Sequence, residues 1–313
     1  MRKLLIRRLV QAIPLLLIVS SLTFVLVSFI PGSVATALLG VSGTPAEYAI
    51  VKRQLGLDQP VYTQYWRWLD RVLHGSMGTS LENHQSVTSI LNSRIGVTLT
   101  LIILTVFVVA LVGVSLGVIA AIRKGVLGQV VDGLSWLGIA IPNFWFGLLL
   151  VGLFSVSFHL LPSEGFVAFG TSPVQWLKSL VLPVAALSAG PLAVVVKQTR
   201  DAMVSVLGGD FIRNLRASGV SERSIVLKHA LKNAAVPVVT VIGVLFVQLL
   251  GGTVVVENVF ALPGLGSLAV SSVSAHDLPV IEGVTVYFTL IVIGVNLLVD
   301  IAYGWLSPKV RIE

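Results

Sequence analysis

Long runs of apolar residues are the feature that most constrains how this chain folds. A helix needs about 20 predominantly apolar residues to cross the hydrocarbon layer of a membrane. Runs of this kind predict six spanning helices and therefore an all-α polytopic membrane protein. The predicted spans extend from Leu9 to Ile30, Val97 to Ile122, Val130 to Leu161, Ser179 to Val196, Ala234 to Val256 and Val284 to Leu306.

The composition excludes the other broad classes of protein. Hydrophobic residues make up 55% of the 313-residue chain and charged residues 11%, which is unlike soluble enzymes, disordered tails, collagen-like fibres or disulfide-rich secreted modules. The chain has no cysteine, so disulfides and thiolate metal sites are excluded. The histidines are scattered without a His-x-x-x-His pair. We therefore predict no metal site and no catalytic residue in this chain.

The distribution of lysine and arginine sets the predicted orientation in the membrane. Placing the N-terminus inside puts most of the basic residues in cytoplasmic segments, as the positive-inside rule requires. Both termini are then cytoplasmic. The net charge of +7 is interpreted through the same rule, because no basic and aromatic surface pattern indicates nucleic-acid binding.

The predicted spans divide the chain into three parts. Residues 1–30 form the cytoplasmic N-terminus and the first span, and residues 31–94 form an extracytoplasmic helical loop. Residues 95–313 form a core with the second to sixth spans, which includes a basic cytoplasmic loop at 197–233. These two hydrophilic loops carry most of the interpretable pattern outside the spans.

The outer loop has two helix signals. Thr44-Pro45-Ala46-Glu47 is typical of a capping box with proline at the first helical position, and predicts a helix that runs to about Leu55 and ends at Gly56. A second helix is predicted between Pro60 and Gly75, where apolar residues recur at helical spacing beside tryptophan and arginine. We interpret the pair as a packed cap over the outer face or at the headgroup level.

The cytoplasmic loop predicts two helices joined by a glycine turn. A helical pattern runs to Ser218, Gly219 suits the left-handed position after a helix, and Ser221 can cap a new helix that starts at Glu222. The second helix alternates basic and apolar residues. Because such a helix cannot bury its apolar side alone at a membrane surface, we expect a partner protein to cover it.

A few polar and small residues inside the spans are candidates for a role in transport or packing. Asn296, Asp300 and Gly304 share one helix face, which we expect to point into the bundle as a structural network or a coupling element. Asn143 is a further polar candidate beside Pro142, one of three prolines expected to kink the third and fourth spans. The glycines of Gly113-Val114-Ser115-Leu116-Gly117 predict close helix packing.

The sequence offers few of the residues that other membrane functions require. No Gly-Lys pair occurs, so this chain lacks a phosphate-binding loop for ATP. An ion-coupled secondary carrier needs ionisable groups near the midplane, and the spans offer only Asp300. An intramembrane hydrolase needs a nucleophile with a histidine partner; Ser42 lies in a suitable Gly-x-Ser-Gly turn but no histidine is placed for it. Both functions remain alternatives.

Four segments, in order along the chain, resemble the permease subunits of ABC importers, and in particular the B subunits of dipeptide and oligopeptide importers. The cytoplasmic loop from Phe211 to Ala234 looks like the coupling loop of that family, although Arg213-Asn214-Leu215 stands where the general family has Glu-Ala-Ala. The other similar segments are Leu55-Gly56-Leu57-Asp58-Gln59-Pro60, the stretch from Glu257 to Gly266, and the stretch from Asn296 to Arg311.

The resemblance implies a type I importer architecture in a bacterial plasma membrane. It implies a second homologous permease, two ATP-binding subunits that carry ATP and Mg, an extracytoplasmic substrate-binding protein, and a peptide cargo, with dipeptides, oligopeptides, glutathione and nickel complexes left open. Glu257 and Asp277 are candidates for contact with the binding protein. The residues implied in coupling to the ATPases are Arg213, Arg216, Ala217, Ser218, Gly219, Val220, Ser221, Glu222 and Arg223.

Overall fold

The computed structural model describes residues 2–29, 39, 44–54, 56–123 and 126–306, and over these ranges the chain is helical. The helices are, in chain order, α1 (Arg2–Ser28), α2 (Pro45–Gln54), α3 (Val61–Leu73), α4 (Val87–Ile122), α5 (Val126–Ala140), α6 (Asn143–Ser157), α7 (Pro173–Leu207), α8 (Asp210–Ala217), α9 (Glu222–Val259), α10 (Leu265–Ser274) and α11 (Leu278–Leu306). Short π-helical stretches interrupt α4 at Val109–Gly113, α6 at Val151–Ser157 and α9 at Ile225–Ala230.

Five of these helices are long and apolar enough to cross a membrane within the described ranges: α1, α4, α7, α9 and α11. They confirm five of the predicted spans, with longer bounds at several ends. The helix α7 continues through Pro183 and Pro191, so neither proline ends it.

The predicted span from Val130 to Leu161 is divided into two helices at Pro142, where a kink within one span was expected. Pro142 has φ −64° and ψ 133°, an extended conformation that stops α5 at Ala140 and starts α6 at Asn143. Proline lacks the amide hydrogen that a helix interior requires, and its carbonyl instead accepts from the Phe146 amide at 3.0 Å as α6 begins. Each of the two helices is shorter than a spanning helix needs.

The capping box at the start of α2 is present as predicted. The Thr44 amide and hydroxyl donate to Glu47 Oε2 at 2.7 and 2.8 Å, and the Glu47 amide donates to Thr44 Oγ1 at 3.3 Å. These hydrogen bonds, first of all the one from the Thr44 backbone, hold the pKa of Glu47 below its ordinary value. Gly56 follows the helix with φ +67°, and the predicted last residue Leu55 lies outside the described residues.

Residues 99–262 and 294–306 form one compact unit, apart from residues 124 and 125, which are not described. The helix α7 is its centre, since α4, α5, α6 and α9 all contact it. Gly113 and Gly117 let α4 approach closely: a Cβ on Gly117 would lie 2.6 Å from Thr199 Cβ and 2.7 Å from the Val196 carbonyl oxygen. The predicted close packing at this glycine pair is confirmed.

The described residues of 2–98, together with 263–293, form a second compact unit. Here α3 packs on α1, with Trp68 buried and the rings of Tyr65 and Phe24 5.4 Å apart. The hydroxyls of Ser20 and Tyr65 also share a hydrogen bond of 3.1 Å. The predicted amphipathic helix after Pro60 therefore packs against the first span with its aromatic side. The wider segmentation into 1–30, 31–94 and 95–313 stays a prediction.

Candidate functional site

The cytoplasmic loop folds as the predicted pair of helices with a glycine turn. Gly208 and Gly209 separate α8 from α7, and α8 ends at Ala217. Gly219 has φ +77°, and its amide donates to the Arg216 carbonyl at 3.0 Å. This is the left-handed ending that glycine adopts without a steric penalty. Ser221 occupies the N-cap position of α9, but its side chain makes no capping hydrogen bond within the described chain.

An ion pair closes the same turn. Arg216 donates through Nε to Glu222 Oε1 at 2.6 Å and through Nη2 to Glu222 Oε2 at 3.3 Å. Both side chains are largely exposed, so the pair adds little to global stability. The hydrogen bond to Glu222 raises the pKa of Arg216. The bidentate geometry ties the end of α8 to the start of α9 across Gly219.

The apolar side of the second helix is covered by the chain itself. Ile225, Val226 and Ala230 are buried in a cluster with Ile212 of α8 and Met203 of α7. The expectation that a partner protein must cover these residues is therefore wrong. The sequence pattern did not reveal that α7 extends to Leu207 and supplies the covering surface.

What remains exposed is the opposite side of the turn. Two large apolar side chains lie there, Phe211 at 54% exposure and Leu227 at 52%. Leu227 belongs to the apolar side of the second helix that was expected to need a partner, whereas Phe211 was not singled out from the sequence. Most of the predicted coupling residues share this exposure, while Val220 is half-buried: Arg213, Arg216, Ala217, Ser218, Gly219, Ser221, Glu222 and Arg223.

Asn143 lines a cavity of about 210 Å³ between α6, α7 and α9. Its side chain sits between two glycines, with Oδ1 3.9 Å from the place of a Cβ on Gly190 and Nδ2 3.5 Å from the place of one on Gly252. Gln248 lines the same cavity and was not singled out from the sequence. Gln248 could have been recognised from the sequence, because its amide side chain stands alone within the apolar run from Ala234 to Val256.

The other two polar candidates lie elsewhere on α11. Asn296 is exposed and Asp300 is half-buried, and neither lines the cavity of Asn143. Near them, α11 packs closely on α9, where a Cβ on Gly243 would lie 2.7 Å from Val299 Cγ2. The structure therefore does not assemble the three polar residues into one site, and their roles stay predictions.

The two carboxylates predicted to contact a binding protein are fully buried, Glu257 at 0% and Asp277 at 1% exposure. Asp277 accepts hydrogen bonds from the hydroxyl of Ser80 and from the amides of Leu81 and Glu82, the latter two at 3.2 and 3.4 Å. It holds the segment before α4 in place. Since a buried carboxylate cannot touch a docked protein, the predicted contact is wrong for both side chains.

Comparison with known proteins identifies the family. Residues 113–312 match the binding-protein-dependent transport system inner membrane component family, and residues 1–102 match the corresponding N-terminal family. The chain belongs to this family. It is thus a multi-pass permease subunit of a bacterial inner membrane, which confirms the resemblance to ABC importer permeases.

The relatives of this permease match along its whole length. It is 40% identical over 314 residues to a putative peptide transport system permease protein of Brucella abortus, covering 100% of both chains. It is also 40% identical over 307 residues to the glutathione transport system permease protein GsiC of Salmonella paratyphi A, covering 98% of both chains.

A solved structure shares the fold. A chain of the inward-facing MetNI methionine ABC transporter superposes with a TM-score of 0.59 at 18% identity, covering 70% of this permease and 97% of that chain.

Proposed function

We propose that this permease subunit imports short peptides, dipeptides or oligopeptides, as part of an ATP-driven complex. The complex would contain a second homologous permease, two ATP-binding subunits that carry ATP and Mg, and an extracytoplasmic binding protein. The names of the full-length relatives, peptide and glutathione permeases, support the cargo class. The observation that supports the coupling role is the turn between α8 and α9, which is held by Gly219 and by the ion pair between Arg216 and Glu222.

This turn has the construction that a docking element requires. Its inner side is packed on α7 through Ile212 and Ile225, and its outer side exposes Phe211, Arg213 and Arg223. A partner can therefore bind the outer side without disturbing the core of the unit. Basic and aromatic side chains in such a patch are typical energetic anchors of protein interfaces.

The turn also leads directly into the membrane. The helix that begins at Glu222 continues without a break to Val259 and includes the fifth predicted span. A rigid displacement of the turn is transmitted along this helix, because no loop separates the docking surface from the span. We infer that closure of the ATP-binding subunits moves the span in this way.

Substitutions in the turn test the proposal in the reconstituted complex. Gly219→Pro fixes φ near −65° where the turn needs +77°, and Arg223→Glu reverses an exposed charge on the docking side. Both variants should insert into the membrane at wild-type levels and lose peptide-stimulated ATP hydrolysis and uptake. Lys178→Glu, an exposed charge reversal on α7, should leave both activities unchanged.

Two results would count against this function. Normal ATPase stimulation and uptake in both turn variants would remove the coupling role from the loop. Peptide uptake by the purified chain without any ATP-binding subunit would replace the importer with a secondary carrier.

A further inference from the structure

The second compact unit contains a cavity of about 240 Å³ whose walls carry charges of both signs. The helices α1 and α3, the segment around Thr79 and the beginning of α11 all contribute to it. Glu282 lines one side of the cavity, and Arg67 and Arg71 of α3 line another. Glu282 also lines a neighbouring cavity of about 400 Å³.

The side chain of Glu282 is buried, and one of its carboxyl oxygens has no hydrogen-bond partner among the described residues. The residue is 2% exposed, and its Oε2 atom accepts no hydrogen bond from any residue in the described part of the chain. A carboxyl group removed from water favours its neutral form, and it ionises readily only when a cation pairs with it. A cationic group bound in the cavity would supply that pairing.

Trp68 brings a second unsatisfied polar group to the same cavity. The residue is 3% exposed, and its Nε1–H has no acceptor among the residues that the structure describes. Buried tryptophan normally finds a partner for this hydrogen. Trp68 and Glu282 both line the cavity, and each has one buried polar atom without a hydrogen-bond partner among the described residues.

The two arginines lie beside positive-φ glycines that also surround the cavity or its neighbouring segment. Arg67 Nη1 lies 3.3 Å from the place of a Cβ on Gly56, and Arg71 Nη1 lies 3.8 Å from that on Gly78. Both side chains are exposed, and in the described residues no ion pair within 4.0 Å joins either of them to Glu282. The opposite charges on the walls are thus not neutralised by each other.

Hydrogen bonds to a buried carboxylate hold the segment at residues 80–82, which contributes to the cavity. Asp277 fixes Ser80, Leu81 and Glu82 by accepting their hydrogen bonds, and Leu81 lines the cavity. The next residue after Asp277, Leu278, begins α11 and lines the cavity too. The same buried carboxylate therefore positions two walls at once.

We propose that this cavity binds a short peptide with both termini free. The α-ammonium group pairs with Glu282, the α-carboxylate pairs with Arg67 and Arg71, and the Trp68 indole donates to a peptide carbonyl. Two residues of extended chain span about 7 Å, and the neighbouring cavity gives room for a longer chain. The inference rests on the proposed function, which supplies the peptide as cargo. It adds that the acidic and basic side chains of the cavity bind the two ends of that peptide.

Equilibrium binding to the full-length chain in nanodiscs tests the assignment, with radiolabelled dialanine as the probe and N-acetyl-dialanine and dialanine amide as competitors. The wild-type chain should bind dialanine about tenfold more tightly than either capped form. Glu282→Gln should weaken dialanine about tenfold and leave N-acetyl-dialanine unchanged. The matched carboxylate Glu82, whose side chain is exposed, should give wild-type binding as Glu82→Gln.

Substitution of Arg67 and Arg71 provides a second test of the site, and it does not alter a buried residue. The double variant Arg67→Gln with Arg71→Gln should weaken dialanine and leave dialanine amide unchanged. Equal affinity of wild type and Glu282→Gln for dialanine would overturn the site. Equal weakening of dialanine and N-acetyl-dialanine by Glu282→Gln would also overturn it, since that pattern indicates lost packing.

Transport measurements separate this site from the proposed function. ATP-dependent dialanine uptake by a wild-type complex whose permease shows no direct binding would overturn the cavity assignment alone. The expected pattern of binding in a complex that fails to import peptides would support the cavity and overturn the importer function.

Discussion

Replacing Gly117 by alanine should destabilise the unit around α7. A Cβ at this position would lie 2.6 Å from Thr199 Cβ and 2.7 Å from the Val196 carbonyl oxygen. Ordinary contacts between carbon atoms are about 3.5–4.0 Å, so the shortfall is about 1 Å. Neither neighbour can rotate away, because one is a backbone atom and the other is attached directly to the backbone. The helices α4 and α7 must therefore separate.

Overpacking of this kind costs about 1–3 kcal/mol, and the better helix propensity of alanine returns up to about 1 kcal/mol. We expect a net loss of about 1 kcal/mol for Gly117→Ala. Gly251→Ala is the matched control: Gly251 lies inside α9, and a Cβ there would meet no atom within 4 Å. It should be neutral or up to about 1 kcal/mol more stable.

The assay is unfolding of the purified chain in mixed micelles with increasing SDS, followed by tryptophan fluorescence. The midpoint for Gly117→Ala should fall clearly below that of the wild type, and the midpoint for Gly251→Ala should not. Coincident curves for the two alanine variants would refute the argument, because they would mean that α4 and α7 are not in close contact at Gly117.

Three further outcomes follow from the contacts described above. Asp277→Ala leaves three donors without their acceptor and should lower stability in the same SDS assay by about 3 kcal/mol. Glu222→Gln should change stability little, since the ion pair is exposed, but reduce peptide-stimulated ATPase activity several-fold, and exchanging the charges of Arg216 and Glu222 together should restore it. Glu47 should titrate below its ordinary pKa by NMR, and its pKa should rise only part of the way in Thr44→Ala, which removes the hydroxyl donor but keeps the backbone amide. Because the folded pKa of Glu47 is lowered, its contribution to stability is present above the unfolded pKa and lost as pH falls through the folded value.

Local signals in the sequence located the elements that depend on local chemistry. The turn at Gly219 and the capping box at Thr44 were predicted to within a residue, because each is fixed by hydrogen bonds between residues a few positions apart. The close approach at Gly117 was predicted as well, since glycines four residues apart expose the backbone on one helix face. The break at Pro142 was underestimated, because hydropathy does not respond to a missing amide hydrogen.

The wrong predictions concern side chains whose surroundings come from distant parts of the chain. Asp277 was expected to contact a binding protein, but it is buried and its donors lie at residues 80–82, almost 200 positions earlier. Ile225 was expected to need a partner protein, but its cover includes Met203 at the end of a long α7. Burial of this kind depends on tertiary packing, which neither periodicity nor composition encodes.

The continuity of α9 connects the docking surface to the polar cavity within a single unit. Gln248 follows Glu222 by 26 positions on this helix, which corresponds to about 39 Å at 1.5 Å per residue. The helix continues through Pro237, so it has no loop that could absorb a displacement of its cytoplasmic end. If the helix tilts as a rigid rod about its cytoplasmic end, its displacement grows with distance from the turn. Gln248 then moves farther than Glu222, and the distance between that amide and Asn143 across the cavity changes. On the proposed function, a small movement at the turn is enough to reshape the cavity, and α9 needs no ionisable group inside the span to respond to ATP.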